Sequence, residues 1–271
     1  MTFTAILHSS AQLVGLTPGV TLANTIAESF ASYLSRALQE VARAFQWPEL
    51  LVVSEKFYRD DWASGTTYAA DAEVYSPAQD KYYTSLQNTN LNHAVTDAAW
   101  WEETSTLTRY FARGTYDAIF SVHDEDPRGK RAPARRTFTL SGTDVIVGDD
   151  APTSVWVYGR KKTNPVTTTA YSGSTSYAVG DVVYYTDGYC YVRTVAGSGN
   201  LPTDATKWEQ ITIPHGWIPA LQYRAAADYA RADGNVELAR DFEAAFKREL
   251  TSAMADIAHN QLQTTHYEVA A

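Results

Sequence analysis

Apolar residues recur at helical spacing in two parts of the chain. Between Thr25 and Phe45, Ile26, Phe30, Leu34, Leu38 and Val41 or Phe45 follow one another at intervals of three or four, on one face of an α-helix. Thr25 ahead of Glu28 has the spacing of a capping box, and Pro48 bars continuation beyond the end. The second helical region begins near Pro219, with Leu221, Ala225, Ala226 and Tyr229 on its apolar face. Asp233-Gly234 stops it, because glycine takes the left-handed turn that closes a helix. Asn235 can cap the next helix, with Glu237 in its first turn. Leu238, Phe242, Phe246, Leu250, Met254 and Ile257 then form the strongest amphipathic pattern in the chain. Glu243 and Lys247 stand one turn apart and can pair, a contribution of about 0.3 kcal/mol. The short Gly-containing connection predicts antiparallel neighbours.

The long stretch between these helical parts reads as β. Thr106–Ser121, Arg136–Val147 and Thr153–Tyr158 are rich in β-branched and aromatic residues, broken by Gly, Pro and Asp. The first two bracket a polar excursion, His123 to Arg135, and read as strands joined by it. Arg128, Lys130, Arg131, Arg135 and Arg136 form the one dense basic cluster, placed to meet DNA phosphates or an acidic partner surface, with a solvated loop as the plainer reading. Asp124-Glu125-Asp126 lacks the spacing of a calcium loop and reads as part of the same solvated loop.

Two stretches repeat one another. Trp62, Tyr68, Val74, Tyr82-Tyr83 and the closing Trp101 match Tyr171, Tyr177, Val183, Tyr191 and Trp208 at nearly equal spacing. Asp71 and Ala72 in the first copy stand where the second has Gly180 and Asp181. Each copy reads as a very small three-stranded β module, with Thr186-Asp187-Gly188 as a tight hairpin. Large aromatics fill so small a core economically. Trp62, Tyr68, Tyr82, Trp101, Tyr171, Tyr177, Tyr191 and Trp208 are therefore read first as core, with a saccharide platform as the alternative.

Composition narrows the functional classes. Of the 271 residues, 22 are Lys or Arg and 31 Asp or Glu, a net charge of −9 that argues against a surface coating nucleic acid overall. One cysteine, Cys190, excludes an intramolecular disulfide framework and a multi-thiolate metal site. The first residues carry no positive charge and only a short apolar run, so neither a signal peptide nor a membrane anchor is expected. No nucleophile elbow or phosphate-binding loop is present, and Gly197-Ser198-Gly199 reads as a flexible loop. The six His residues are scattered, without zinc-helix spacing. No catalytic residue, cofactor or metal site is nominated, and the chain is not expected to be an enzyme.

The expected fold is α+β: a helical bundle from the N- and C-terminal helices with a β subdomain and two small three-stranded β insertions. The bundle and its subdomain take residues 1–55, 105–163 and 212–271, and the insertions take 56–104 and 164–211. The aromatic, Tyr, Gly-Asp-Val-Val, Tyr, closing-Trp pattern of the insertions resembles the small chitin- or cellulose-binding modules of bacterial glycosidases. That implies glycan binding or adhesion as one function, although Thr84–Gln87 and Val192–Val195 lack the exposed aromatic pair such modules carry.

The remaining order resembles the head–tail connector (adaptor, head-completion) proteins of tailed bacteriophages. It runs from the N-terminal helix through strands ending in Ser154–Tyr158 to the Pro-started helix pair with an Asp-Gly break. The resemblance implies a structural virion protein of the neck, assembled in the host cytoplasm. Copies, typically twelve, would form a ring under the portal protein, extend the channel for genomic DNA and dock a stopper or tail-terminator protein. An acidic lumen would repel DNA phosphates and let the genome slide. The polar segment after Ile257, with Gln261, His266 and Tyr267, would be an arm ordered on docking into the portal.

Overall fold

A computed structural model describes residues 1–16, 23–57, 59–79, 81–104, 110–114, 116–129, 134–148 and 154–267. The chain is α+β and divides into two compact units, Leu50–Lys162 and Met1–Glu49 with Thr163–Ala271.

The Leu50–Lys162 unit holds strands β1 (Leu51–Phe57), β2 (Thr67–Tyr68), β3 (Glu73–Ser76), β4 (Lys81–Ser85), β5 (Asn90–Leu91) and β6 (Trp101–Glu103). These are followed by β7 (Tyr110–Ala112), β8 (Tyr116–His123), β9 (Arg135–Arg136), β10 (Phe138–Ser141), β11 (Asp144–Val147) and β12 (Ser154–Lys161). Strand β12 alternates, with Val155 and Val157 fully buried between half-buried Trp156 and Tyr158, as a strand with one core face requires. It is central in an antiparallel sheet of order β1-β12-β8-β9, beside a three-stranded sheet β10-β11-β7. The pairing of β8 with β9 brackets the charged excursion as expected. The register slips at Tyr158/Gly159 and again at Arg160/Lys161, so β8 bulges over Gly159. Glycine is required there for space: a Cβ would lie 2.6 Å from the Ala118 carbonyl oxygen and 2.8 Å from Cδ1 of Tyr116. Phe111, Tyr116, Val122, Val145, Val147, Val155 and Val157 form the core, joined by Tyr75 and Tyr82 of the first aromatic module.

The second unit begins with helix α1 (Phe3–Leu13), which the sequence pattern does not foretell. Thr2 caps it by accepting the Ala5 amide at 3.2 Å. Helix α2 (Asn24–Ala44) buries Phe30, Leu34, Leu38 and Val41, the stripe read from the sequence, whereas Phe45 has already left the helix in extended conformation. The capping box does not form: the helix starts at Asn24, Ala23 is its cap residue, and Thr25 lies inside the first turn. Strands β13 (Val182–Tyr184), β14 (Cys190–Arg193) and β15 (Trp208–Gln210) make the second aromatic module. Helices α3 (Ile218–Ala232) and α4 (Val236–Tyr267) follow, with Gly234 at φ +84 between them and the Asn235 side chain accepting the Leu238 amide at 3.1 Å.

Phe30 stacks on Tyr229 with ring centroids 5.0 Å apart, fixing α2 against α3. Trp47 is fully buried beside Trp217 and donates its indole N–H to the Val41 carbonyl. Asp228, whose side chain is 1% exposed, is ringed by Arg36, Arg224 and Arg231. Arg224 also holds Glu40 of α2 at 2.6 Å. Glu243 takes its ion pair from Arg231 rather than from Lys247, and that hydrogen bond holds its carboxyl below the usual carboxylate range.

Candidate functional site

The two aromatic modules share one construction, bond for bond. Trp62 donates its amide to the Tyr75 carbonyl at 2.8 Å, and Tyr171 does the same to Tyr184 at 2.9 Å. The hydroxyls of Tyr68 and Tyr177 accept the amides of Ala63 and Ser172, each at 2.8 Å. The indoles of Trp101 and Trp208 donate to the His93 and Asn200 carbonyls at 2.9 and 3.0 Å. The closing strands β6 and β15 pair with β4 and β14 in the same register, Ser85 opposite Trp101 and Arg193 opposite Trp208. Asp71 keeps the left-handed conformation of its counterpart Gly180, at φ +64 against +94. The hairpin read at Thr186–Gly188 is present: Gly188 is at φ +88 and the Tyr185 amide donates to Tyr189.

The candidate aromatics of this repeat point mostly inward. Trp101, Tyr191 and Trp208 are buried, as is Tyr177, in clusters with Val74 and Tyr83 or with Val183. Trp62, Tyr68 and Tyr171 are partly covered and pack on those clusters. Tyr82 leaves its module core altogether and enters the core of the larger sheets. Burial, reinforced by the bond it donates to Asp187 at 2.7 Å, pushes the Tyr191 hydroxyl up to about 12. The aromatic that the residue pattern did not single out is Trp100, half-buried against the first module's core. Its indole lies flat on the His93 imidazole, with centroids 3.8 Å apart and 10° between planes. The doubled Trp100-Trp101 was the available signal.

The modules differ inside at the position opposite the closing tryptophan. The first has Ser85, bonded by the Asn90 amide at 2.9 Å. The second has Arg193, 1% exposed, with its guanidinium 4.8 Å from the Trp208 ring and one N–H on Asn200 at 3.2 Å. Gly197 stands opposite where the first module has Asn90, and a Cβ there would come within 3.2 Å of the guanidinium. The larger side chain on one strand is thus matched by the absence of one on the other. Gly197 also exchanges two 2.9 Å backbone bonds with Tyr177, so the expected flexible loop is pinned at that point.

Both modules dock through the same face. The paired residues Tyr75 and Tyr82 occupy the positions of Tyr184 and Cys190 in the second copy. Tyr75 and Tyr82 sink into the β core, whereas Tyr184 meets Phe3 edge-on and the Cys190 thiol donates to the Thr167 carbonyl.

The basic cluster is less cationic than its sequence. Arg128 clasps Asp126 and covers Trp156 at 5.3 Å, and Arg136 clasps Asp124. The Arg128 hydrogen bond holds the Asp126 carboxyl below its ordinary value. Arg135 pairs as backbone with His123, whose buried ring lies between Ser121 and the Ala134 carbonyl; Lys130 and Arg131 lie outside the described residues.

Helix α4 outruns its partner. Its 32 residues reach about 48 Å, against about 22 Å for α3. Among its described side chains the last buried one is Phe246, yet the apolar stripe continues through Leu250, Met254 and Ile257, all partly exposed. The helix runs on past Ile257, so the backbone of Gln261, His266 and Tyr267 is helical; residues 268–271 lie outside the described part. No group of three or more His, Cys, Asp or Glu among the described residues could hold a metal ion, and no described helix is long and apolar enough to cross a membrane. No protein-family model matches the chain, and no curated protein sequence matches it.

Proposed function

We propose that this chain is a structural assembly protein, a head–tail connector adaptor of a tailed bacteriophage. In that role copies form a ring, typically of twelve, under the portal protein in the virion neck. The ring continues the channel for genomic DNA and offers its far side to a stopper or tail-terminator protein. The supporting observation is the overhang of α4, an amphipathic helix whose apolar stripe continues past the last residue its own bundle buries. An isolated helical segment of that composition is marginal in water and gains stability from a partner surface. The inward-turned aromatics agree with modules that brace a scaffold. The test is to mix the purified chain with portal rings and weigh the product by native mass spectrometry, with and without residues 261–271. Stoichiometric rings that lose the adaptor on truncation support the reading. Portal rings that bind neither form overturn it.

The alternative is a carbohydrate-binding or adhesion protein, and Trp100 is the aromatic that favours it. Saturable binding to a glycan that is lost in Trp100→Ala, with the fold intact, would establish that second reading.

A further inference from the structure

One module face is used twice, but it is fastened very differently. In the first module Tyr75 and Tyr82 are built into a core with seven further buried residues. In the second, the Tyr184 side of the equivalent face is held by the first turn of α1, while the Cys190 thiol donates to the Thr167 carbonyl. The Thr4 amide donates to the Gly188 carbonyl at 3.2 Å, and the Thr4 hydroxyl lies 3.0 Å from that of Tyr184. Phe3, 4% exposed, adds an edge-on ring contact with Tyr184 at 6.3 Å, the one buried ring of this turn. Behind these contacts is a cavity of about 160 Å³ lined by Met1, Phe3, Val166, Tyr189, Cys190 and Gln210, among others. A seam closed by one buried ring and a few partly exposed polar bonds around a void has far fewer fixings than the nine-residue core that holds the first module, and so opens more readily.

We propose that the first turn of α1 is a latch on the second aromatic module, which opens while the helices and the module stay folded. Opening uncovers the Tyr184–Cys190 face that the first module keeps permanently buried. The inference does not depend on the neck reading.

The molecule carries its own reporter. Cys190 is the chain's one cysteine, is 1% exposed, and sits on this seam. Burial pushes its thiol up to about 11, so reactivity is compared with the urea-unfolded chain at the same pH. The experiment follows Cys190 modification by a bulky aromatic disulfide, too large for the cavity, across sub-denaturing urea. Latch opening predicts modification faster than global unfolding permits and nearly independent of urea. Thr4→Val removes the hydroxyl contacts and keeps the packing, and should speed modification by about three- to tenfold. Gly188→Ala forces a side chain into a φ of +88 against Thr2 and Thr4 atoms 3.2 to 3.4 Å away, and should speed it by about tenfold or more. Helical circular dichroism should stay unchanged in both. Modification that tracks global unfolding in its urea dependence, or a Thr4→Val rate equal to the parent's, overturns the latch. Should Gly188→Ala fail to fold, Thr4→Val alone decides.

Discussion

Replacing Gly159 by alanine tests the close approach of β8 to β12. Its backbone is ordinary extended strand, so the cost comes from contact alone and not from φ. The new methyl would stand 2.6 Å from the Ala118 carbonyl oxygen, where real Cβ atoms essentially never come within 3.0 Å. That oxygen is main chain and cannot swing aside. The second obstacle, the Tyr116 ring, is 3% exposed and carries a hydrogen bond between its hydroxyl and Ser54. Relief therefore needs β8 to lift from β12 or Tyr116 to move and give up Ser54. Overpacking of this kind costs about 1–3 kcal/mol, and the lost hydrogen bond adds about 1 kcal/mol. Urea unfolding should place Gly159→Ala about 2–4 kcal/mol below the parent, at unchanged slope. Gly65→Ala and Gly129→Ala are the controls, since nothing lies within 4 Å of a Cβ at either. Both should fall within about 0.5 kcal/mol of the parent, as surface changes do. A Gly159→Ala protein as stable as these controls would refute the reasoning.

Trp208→Ala should destabilise the second module by about 3–5 kcal/mol, seen as accelerated amide exchange across β13–β15; protection equal to the parent's would show that Trp208 is not its keystone. Asp228→Asn keeps the shape but removes the charge between three arginines, and should lower stability by about 2–4 kcal/mol in thermal melts, with Arg224 still held by Glu40. An unchanged melt would show that the arginines are sufficiently solvated alone. Alkaline titration should weaken the second module. The protonated forms of Cys190 and Tyr191 are the ones the fold favours, so their contribution is whole below pH 9 and is lost as pH rises from 9 to about 11 for the thiol and from 10 to about 12 for the phenol. Amide protection in β14 that stays constant over that range would count against it.

The helices with strong periodicity were legible because one face of each is buried against another helix. Phe30, Leu34, Leu38 and Val41 were readable for that reason. Helix α1 was not, because it is short and mostly apolar, so its periodicity stands out poorly. Strand β1 lay within the stretch read as β but was not singled out, since Leu51–Val53 is an apolar run whose state is decided by β12, a hundred residues away in sequence. The repeat was legible because spacing survives where identity does not. What spacing could not reveal was direction: that Trp101 is the fully buried member of its pair, and that Tyr82 serves its host rather than its module, depend on register across three strands. The charged excursion looked cationic because a linear reading cannot see that Asp124 folds back on Arg136.

The outermost strands of the two modules, β6 and β15, each close on a buried tryptophan followed by two exposed polar residues, Glu102-Glu103 and Glu209-Gln210. Wherever many copies are crowded side by side, such open borders invite a neighbour to add its own strand and zip adjacent molecules into a continuous ribbon. Charged side chains on the border, among them the Lys81–Glu103 ion pair of the first module, keep it solvated, so crowding need not turn into fusion.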